Sequence, residues 1–191
     1  MKKNAFTLVE ILVVISIMAI MGLILTEVFI RSLRGGNKAE VLAIIKQNGQ
    51  SVLENMDKNI RNSDSVVCTD NLGEVLVLEK GGIYTRYRLI TGQLAEDHPV
   101  LLQNTPQDLF LTDVCNNSNY PLDVIPAVLT DSEKVTVAKP GVSMKIFTNT
   151  KASGFKAIVT INFLLKPGQA IPKSVAGQID PVPFVTTIQV R

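Results

Sequence analysis

Hydrophobic positions along the chain fall into three regimes. Residues 11–26, "ILVVISIMAIMGLILT", form an unbroken charge-free run. Residues 41–60 then place Val41, Leu42, Ile45, Gly49, Val52, Leu53, Met56 and Ile60 at spacings of one, three or four, the period of an amphipathic helix. Lys38, Lys46, Gln50, Asp57, Lys58 and Arg61 fill the opposite face. From residue 65 the helical period disappears, and stretches such as Lys145-Ile146-Phe147-Thr148 and Thr160-Ile161-Asn162-Phe163 alternate instead. "EVLVLEK" and "IYTRYRLI", joined across Gly81-Gly82, read as a hairpin. "PVLLQ", "DLFLTDV", "KVTVA", "VSMKIFT", "FKAIVTINFLL" and "FVTTIQVR" are further strand candidates. The pattern predicts an α+β fold: a long N-terminal helix packed on an antiparallel sheet. One face of that sheet rests on the helix and the other faces water.

Gly35-Gly36 interrupts the helical pattern, at about 1 kcal/mol each relative to Ala. Two readings stay open: a soft joint within one helix, or a break between two helices. Loops rich in Pro, Gly and Asn separate the strands, and no internal repeat or second domain is visible.

Composition changes this picture in one respect. The chain of 191 residues is 46% apolar and 19% charged, with a formal net charge of +2, too small by itself to argue for a nucleic-acid partner. Residues 6–30, however, carry only Glu10 and Glu27 as charges. At about 1.5 Å per residue the run 11–26 is roughly 24 Å long, short of a bilayer's roughly 30 Å hydrocarbon core. Residues 6–30 span it comfortably, but then Glu10 lies at or inside the apolar layer. Lys2 and Lys3 favour a cytoplasmic N-terminus, an asymmetry weakened by Arg31, Arg34 and Lys38. A secretory signal is disfavoured, because no Ala-x-Ala pattern follows the run. A plain anchor leaves Glu10 unexplained, since a carboxylate at membrane depth costs about 2.5–3.5 kcal/mol.

"KKNAFTLVEILVVISIMAIMGLIL" resembles the N-terminus of type IV prepilins and of the pseudopilins of type II secretion and competence systems. Residues 2–30 carry the resemblance: a basic leader, a small residue, Phe-Thr-Leu-Val-Glu, then a membrane-length apolar helix. The resemblance implies cleavage by a prepilin peptidase between Ala5 and Phe6, and N-methylation of Phe6. Ala5 departs from the family's usual Gly. Glu10 is implied to pair with the Phe6 amine of a neighbouring subunit and so to set the register of a fibre. Implied partners are other pilin or pseudopilin subunits, the peptidase, an inner-membrane assembly platform, and lipid before assembly. The implied location is a single pass of the inner (cytoplasmic) membrane, then a periplasmic or extracellular filament. The chain then divides into a leader (1–5), a membrane and fibre-core helix (6–30), an amphipathic helix (31–62) and a β-rich head (63–191). A looser likeness, over "IYTRYRLITGQLAEDHPVLLQNTPQDLFL", is to minor pseudopilins of the J/W type.

The head offers little chemistry of its own. Cys68 and Cys115 suit an exported disulfide, with two free thiols as the alternative. His98 stands alone in a polar loop. Asp113, Asp123, Asp131 and Glu133 cluster loosely in sequence but fit no EF-hand spacing, so no metal site is expected. Lys134, Lys139, Lys145, Lys151 and Lys156 make at most a mildly basic face, a weak signal for nucleic acid, and ordinary solvation is the better reading. No phosphate loop, Cys-x-x-Cys or His-Glu-x-x-His is present, and no catalytic residue or cofactor is expected. The reading is a minor pilin-like subunit. Its rival is a binding protein or enzyme that uses residues 6–30 only as a tether.

Overall fold

In a computed structural model, residues 7–99, 112–116 and 126–191 are described. The chain forms two compact units, residues 1–40 and 41–191. Helix α1 (Leu8–Asn62) contributes to both. It runs without interruption through Gly35 and Gly36, so these glycines do not separate two helices. Helix-forming neighbours carry them, and a methyl group added at either would meet nothing within 4 Å.

The second unit is built around the amphipathic stretch of α1. Val41, Ile45, Gly49, Val52, Met56 and Ile60 are buried, and Leu42 and Leu53 pack at the margin. This is the stripe that the spacing predicts. Two antiparallel sheets receive it. The first is a meander of β1 (Ser65–Thr69), β2 (Val75–Lys80), β3 (Ile83–Ile90), β4 (Gln93–Asp97) and β5 (Ala127–Val128). In the second, β8 (Ile158–Pro167) is flanked on one side by β6 (Val135–Ala138) and β7 (Phe147–Thr150), and on the other by β9 (Val182–Gln189). A short helix, α2 (Lys173–Ala176), lies between β8 and β9. The sheets are stitched together where Ile146 and Phe147 N–H donate to the Gly73 carbonyl and Val137 N–H to that of Gly92.

Turn chemistry fixes the registers. Lys80 pairs with Ile83 across Gly81-Gly82, whose φ values are 57° and 81°; both lie in the left-handed region that a tight hairpin needs. Between β1 and β2, the Asp70 carboxylate accepts the Leu72, Glu74 and Val75 N–H groups at 3.2, 2.6 and 2.8 Å. One side chain thus replaces the missing ladder bonds.

The structure corrects two expectations about the head. Residues 112–114, read as the end of a strand, belong to a helical turn over 112–115. The outer face of the first sheet is also not simply wet. Val75 and Val77 are fully buried there with Val114, beside Val67, Tyr84, Cys68 and Cys115. A second, small core therefore lies on the side of the meander opposite α1. Most of "PVLLQ" and the start of "DLFLTDV" lie outside the described residues.

Candidate functional site

The first unit presents an apolar helix whose surface is exposed among the described residues. From Leu8 to Leu33 its large hydrophobic side chains are exposed, and α1 holds a stretch long and apolar enough to cross a membrane, none of it buried. Polar groups in this stretch are satisfied within the helix. Ser16 Oγ donates to the Leu12 carbonyl and Thr26 Oγ1 to that of Gly22, both at 2.8 Å. Glu27 pairs with Arg31 one turn on, which offsets the second carboxylate of the run. Such self-satisfaction is what a lipid environment demands.

Glu10 is held by a reciprocal pair of bonds at the head of the helix. Thr7 Oγ1 accepts the Glu10 N–H at 3.3 Å, while Glu10 Oε2 accepts the Thr7 N–H at 3.4 Å. This is a capping box, in which residues three apart satisfy each other's free N–H groups. It turns the carboxylate back toward the positive end of the helix. Its second oxygen, Oε1, has no partner among the described residues. The signal for this arrangement, Thr-x-x-Glu in "TLVE", was present in the sequence and is independent of any fibre. Ala5 and Phe6, the expected cleavage and methylation residues, lie outside the described residues.

Residues 1–26 match a family model described as the prokaryotic N-terminal methylation motif. The chain carries a prepilin-type methylation motif. With α1 and the sheets behind it, the architecture is pilin-like. The motif marks a type IV pilin-like or pseudopilin-like precursor, and with the exposed apolar helix it points to membrane anchoring. The family that carries the motif is structural rather than enzymatic. Searches of curated proteins and of solved structures gave no match.

Behind the motif, the head gathers its polar residues into structural clusters. Cys68 and Cys115 are joined as a disulfide with Cα atoms 6.0 Å apart, tying the 112–115 turn to β1. Beside it, Arg86 Nε and Nη2 donate to the two Asp97 carboxylate oxygens at 2.7 and 3.1 Å. Both side chains are fully buried, and Arg86 Nη1 also reaches the Val114 carbonyl at 3.4 Å. Arg88 approaches the same carboxylate at 2.8 Å. Burial, with Arg86 close by, outweighs the pull of Asp97 and lowers the Arg88 guanidinium below its usual range. Sequence reading missed this triad, because charges inside a strand look like solvent-facing positions.

The expected bystanders are spread out. Asp131 accepts the Glu133 N–H at 3.1 Å and pairs with Lys134 at 2.9 Å, which lowers the carboxyl's pKa and raises the amine's. It shapes a turn. Among the described residues, no group of three or more His, Cys, Asp or Glu is placed to hold a metal; Asp123 lies outside them. Lys139 pairs with Glu74, and Lys156 donates to the Arg191 carbonyl. Ser153 and Lys156 have the Ser-x-x-Lys spacing, yet Lys156 is spent on Arg191 and both residues are exposed. Thr85 Oγ1 lies 3.4 Å from His98 Nδ1, and His98 Nε2 lies 3.7 Å from Glu96. Both contacts are longer than an activated hydroxyl needs.

Proposed function

We propose that this chain is a structural subunit, a minor pilin or pseudopilin, of a type IV pilus-like filament. Prepilin peptidase removes residues 1–5 after Ala5, and the new amine on Phe6 is methylated. Residues 6–30 anchor the subunit in the cytoplasmic membrane with the N-terminus inside, and an assembly platform later draws them into a fibre core. Residues 31–62 carry the helix into the head, and 63–191 form its β-rich part. The observation that carries the reading is the methylation motif leading directly into a helix whose apolar surface is unburied. That surface exchanges lipid for neighbouring helices, so packing and hydrogen bonds decide the outcome.

Glu10 sets the register in this proposal. Its Oε2 is engaged by Thr7, and Oε1 takes the Phe6 amine of the next subunit. A charge left unpaired in an apolar bundle is costly, so misregistered subunits are rejected. Mass spectrometry of the mature protein tests the processing step: the expected N-terminus is methylated Phe6, and an intact Met1 refutes it. Replacing residues 6–30 by an unrelated membrane span tests the rival tether reading. Loss of filament incorporation supports the fibre subunit, and full function of the chimera supports the tether.

A further inference from the structure

β9 is the outer strand of the second sheet. It pairs with β8 on one side and, among the described residues, with nothing on the other. One bond fixes the direction of its backbone groups: Val190 N–H donates to the Ala157 carbonyl at 3.0 Å. Antiparallel bonds recur at every second residue, so Ile188, Thr186 and Phe184 likewise point at β8. Val185, Thr187 and Gln189 aim their N–H and C=O groups outward. Pro183 offers only a carbonyl.

Among the described residues, both edges of the first sheet are defended and this one is not. β5 is two residues long. β1 is broken by an irregularity between Val66 and Cys68, and Cys68 is tied down by its disulfide. β9 has eight residues, residues 181–190 hold no charge, and Val185 is 59% exposed. A long uncharged edge is a template for one more strand.

We propose that the β9 edge pairs with the β9 edge of a second copy of this chain, antiparallel, about a twofold axis at Thr186. In this register Val185 of each copy stands opposite Thr187 of the other, and the two exchange both backbone bonds. Gln189 N–H reaches the Pro183 carbonyl of the other copy, so the missing Pro183 N–H falls near the margin. Faces also match: Phe184 meets Ile188 on the inner side, and Val185 meets Thr187 on the outer. A slip of one residue would set inner against outer side chains. Charge complementarity names the occupant. Arg191 of each copy stands opposite Pro181, next to Asp180 of the other, so opposite charges meet at both ends of the joint. A helical fibre is built from head-to-tail contacts, whereas this contact is isologous. It therefore joins free subunits or neighbouring fibres, and it stands whether or not the fibre reading holds.

The test uses the full-length chain in detergent. Thr187→Pro removes an outward N–H and leaves the backbone bonds to β8 intact, losing only the hydroxyl contact with Thr160 on that strand. We expect its dimer dissociation constant to rise at least about tenfold in sedimentation, with an unchanged circular dichroism spectrum. Thr186→Cys places two thiols on the axis, in a non-hydrogen-bonded pair whose Cα atoms lie about 4.5 Å apart, within disulfide reach. Mild oxidation is expected to give a 186–186 cross-link, whereas Thr148→Cys on β7 stays unlinked. A monomeric wild type, an unaltered dimer in Thr187→Pro, or equal cross-linking of Thr148→Cys overturns the proposal. So does a wild type that stays monomeric and instead captures a different subunit through this edge.

Discussion

At the scale of single residues, the head depends on a few buried groups whose surroundings leave no substitute. Asp97, fully buried, compensates two arginines. Asp97→Asn should destabilise the protein by about 3–5 kcal/mol, because it leaves like charges buried together; denaturant unfolding measures this. Tyr87 is fully buried, its hydroxyl accepting from Asn59 Nδ2 at 2.5 Å. Burial first, and Glu96 nearby, raise its pKa above the ordinary value of 10.0. A raised folded-state pKa keeps its stabilisation intact below the unfolded value and loses it as pH climbs past that value. Stability should therefore decline above about pH 10, and Tyr87→Phe should flatten that decline while costing about 1 kcal/mol at neutral pH. Gly49 was legible only as an apolar position. The structure gives the reason for glycine: the Phe184 ring occupies the space a Cβ would need. Gly49→Ala should cost about 1–3 kcal/mol through overpacking, seen as a lower thermal midpoint.

At the scale of elements, α1 shows how far periodicity reaches. The buried stripe from Val41 to Ile60 follows directly from spacing, because a helix has one period and one face to hide. The apolar run before it was equally legible, and so was the Gly81-Gly82 hairpin. The strands were less so. β4, "QLAED", is polar enough to pass for loop, yet Leu94 and Ala95 are buried once β3 and β5 flank them. "VSMKIFT" yields strand only at its end, since β7 starts at Phe147, where β8 lies opposite. The N-terminal capping box predicts a separable effect. Thr7→Ala and Glu10→Ala should each weaken the first turn by about 1 kcal/mol, yet both variants should still insert in the membrane. Only Glu10→Ala should strongly impair filament incorporation, because it alone removes the charge. Fractionation and filament shearing read the two effects apart. Equal incorporation of Glu10→Ala and wild type would remove the register role.

At the scale of the whole molecule, the head is held by long-range closure as much as by packing. The Cys68–Cys115 bridge spans 47 positions and pins a turn over the small second core. Replacing both cysteines by Ser should cost about 4 kcal/mol on the chain-entropy model, with the same loss under reduction of the wild type; unfolding with and without reductant measures it. What the sequence alone determined is local: a membrane-length apolar run, a methylation motif, an amphipathic stripe and a glycine hairpin. Each is written in contiguous residues, where period and composition suffice. What tertiary structure decided is non-local. It set the partition into two sheets, the buried Arg86–Asp97–Arg88 cluster, the second core beneath the disulfide, and the strand left at an open edge. Those depend on which distant segments meet, and no periodicity records that.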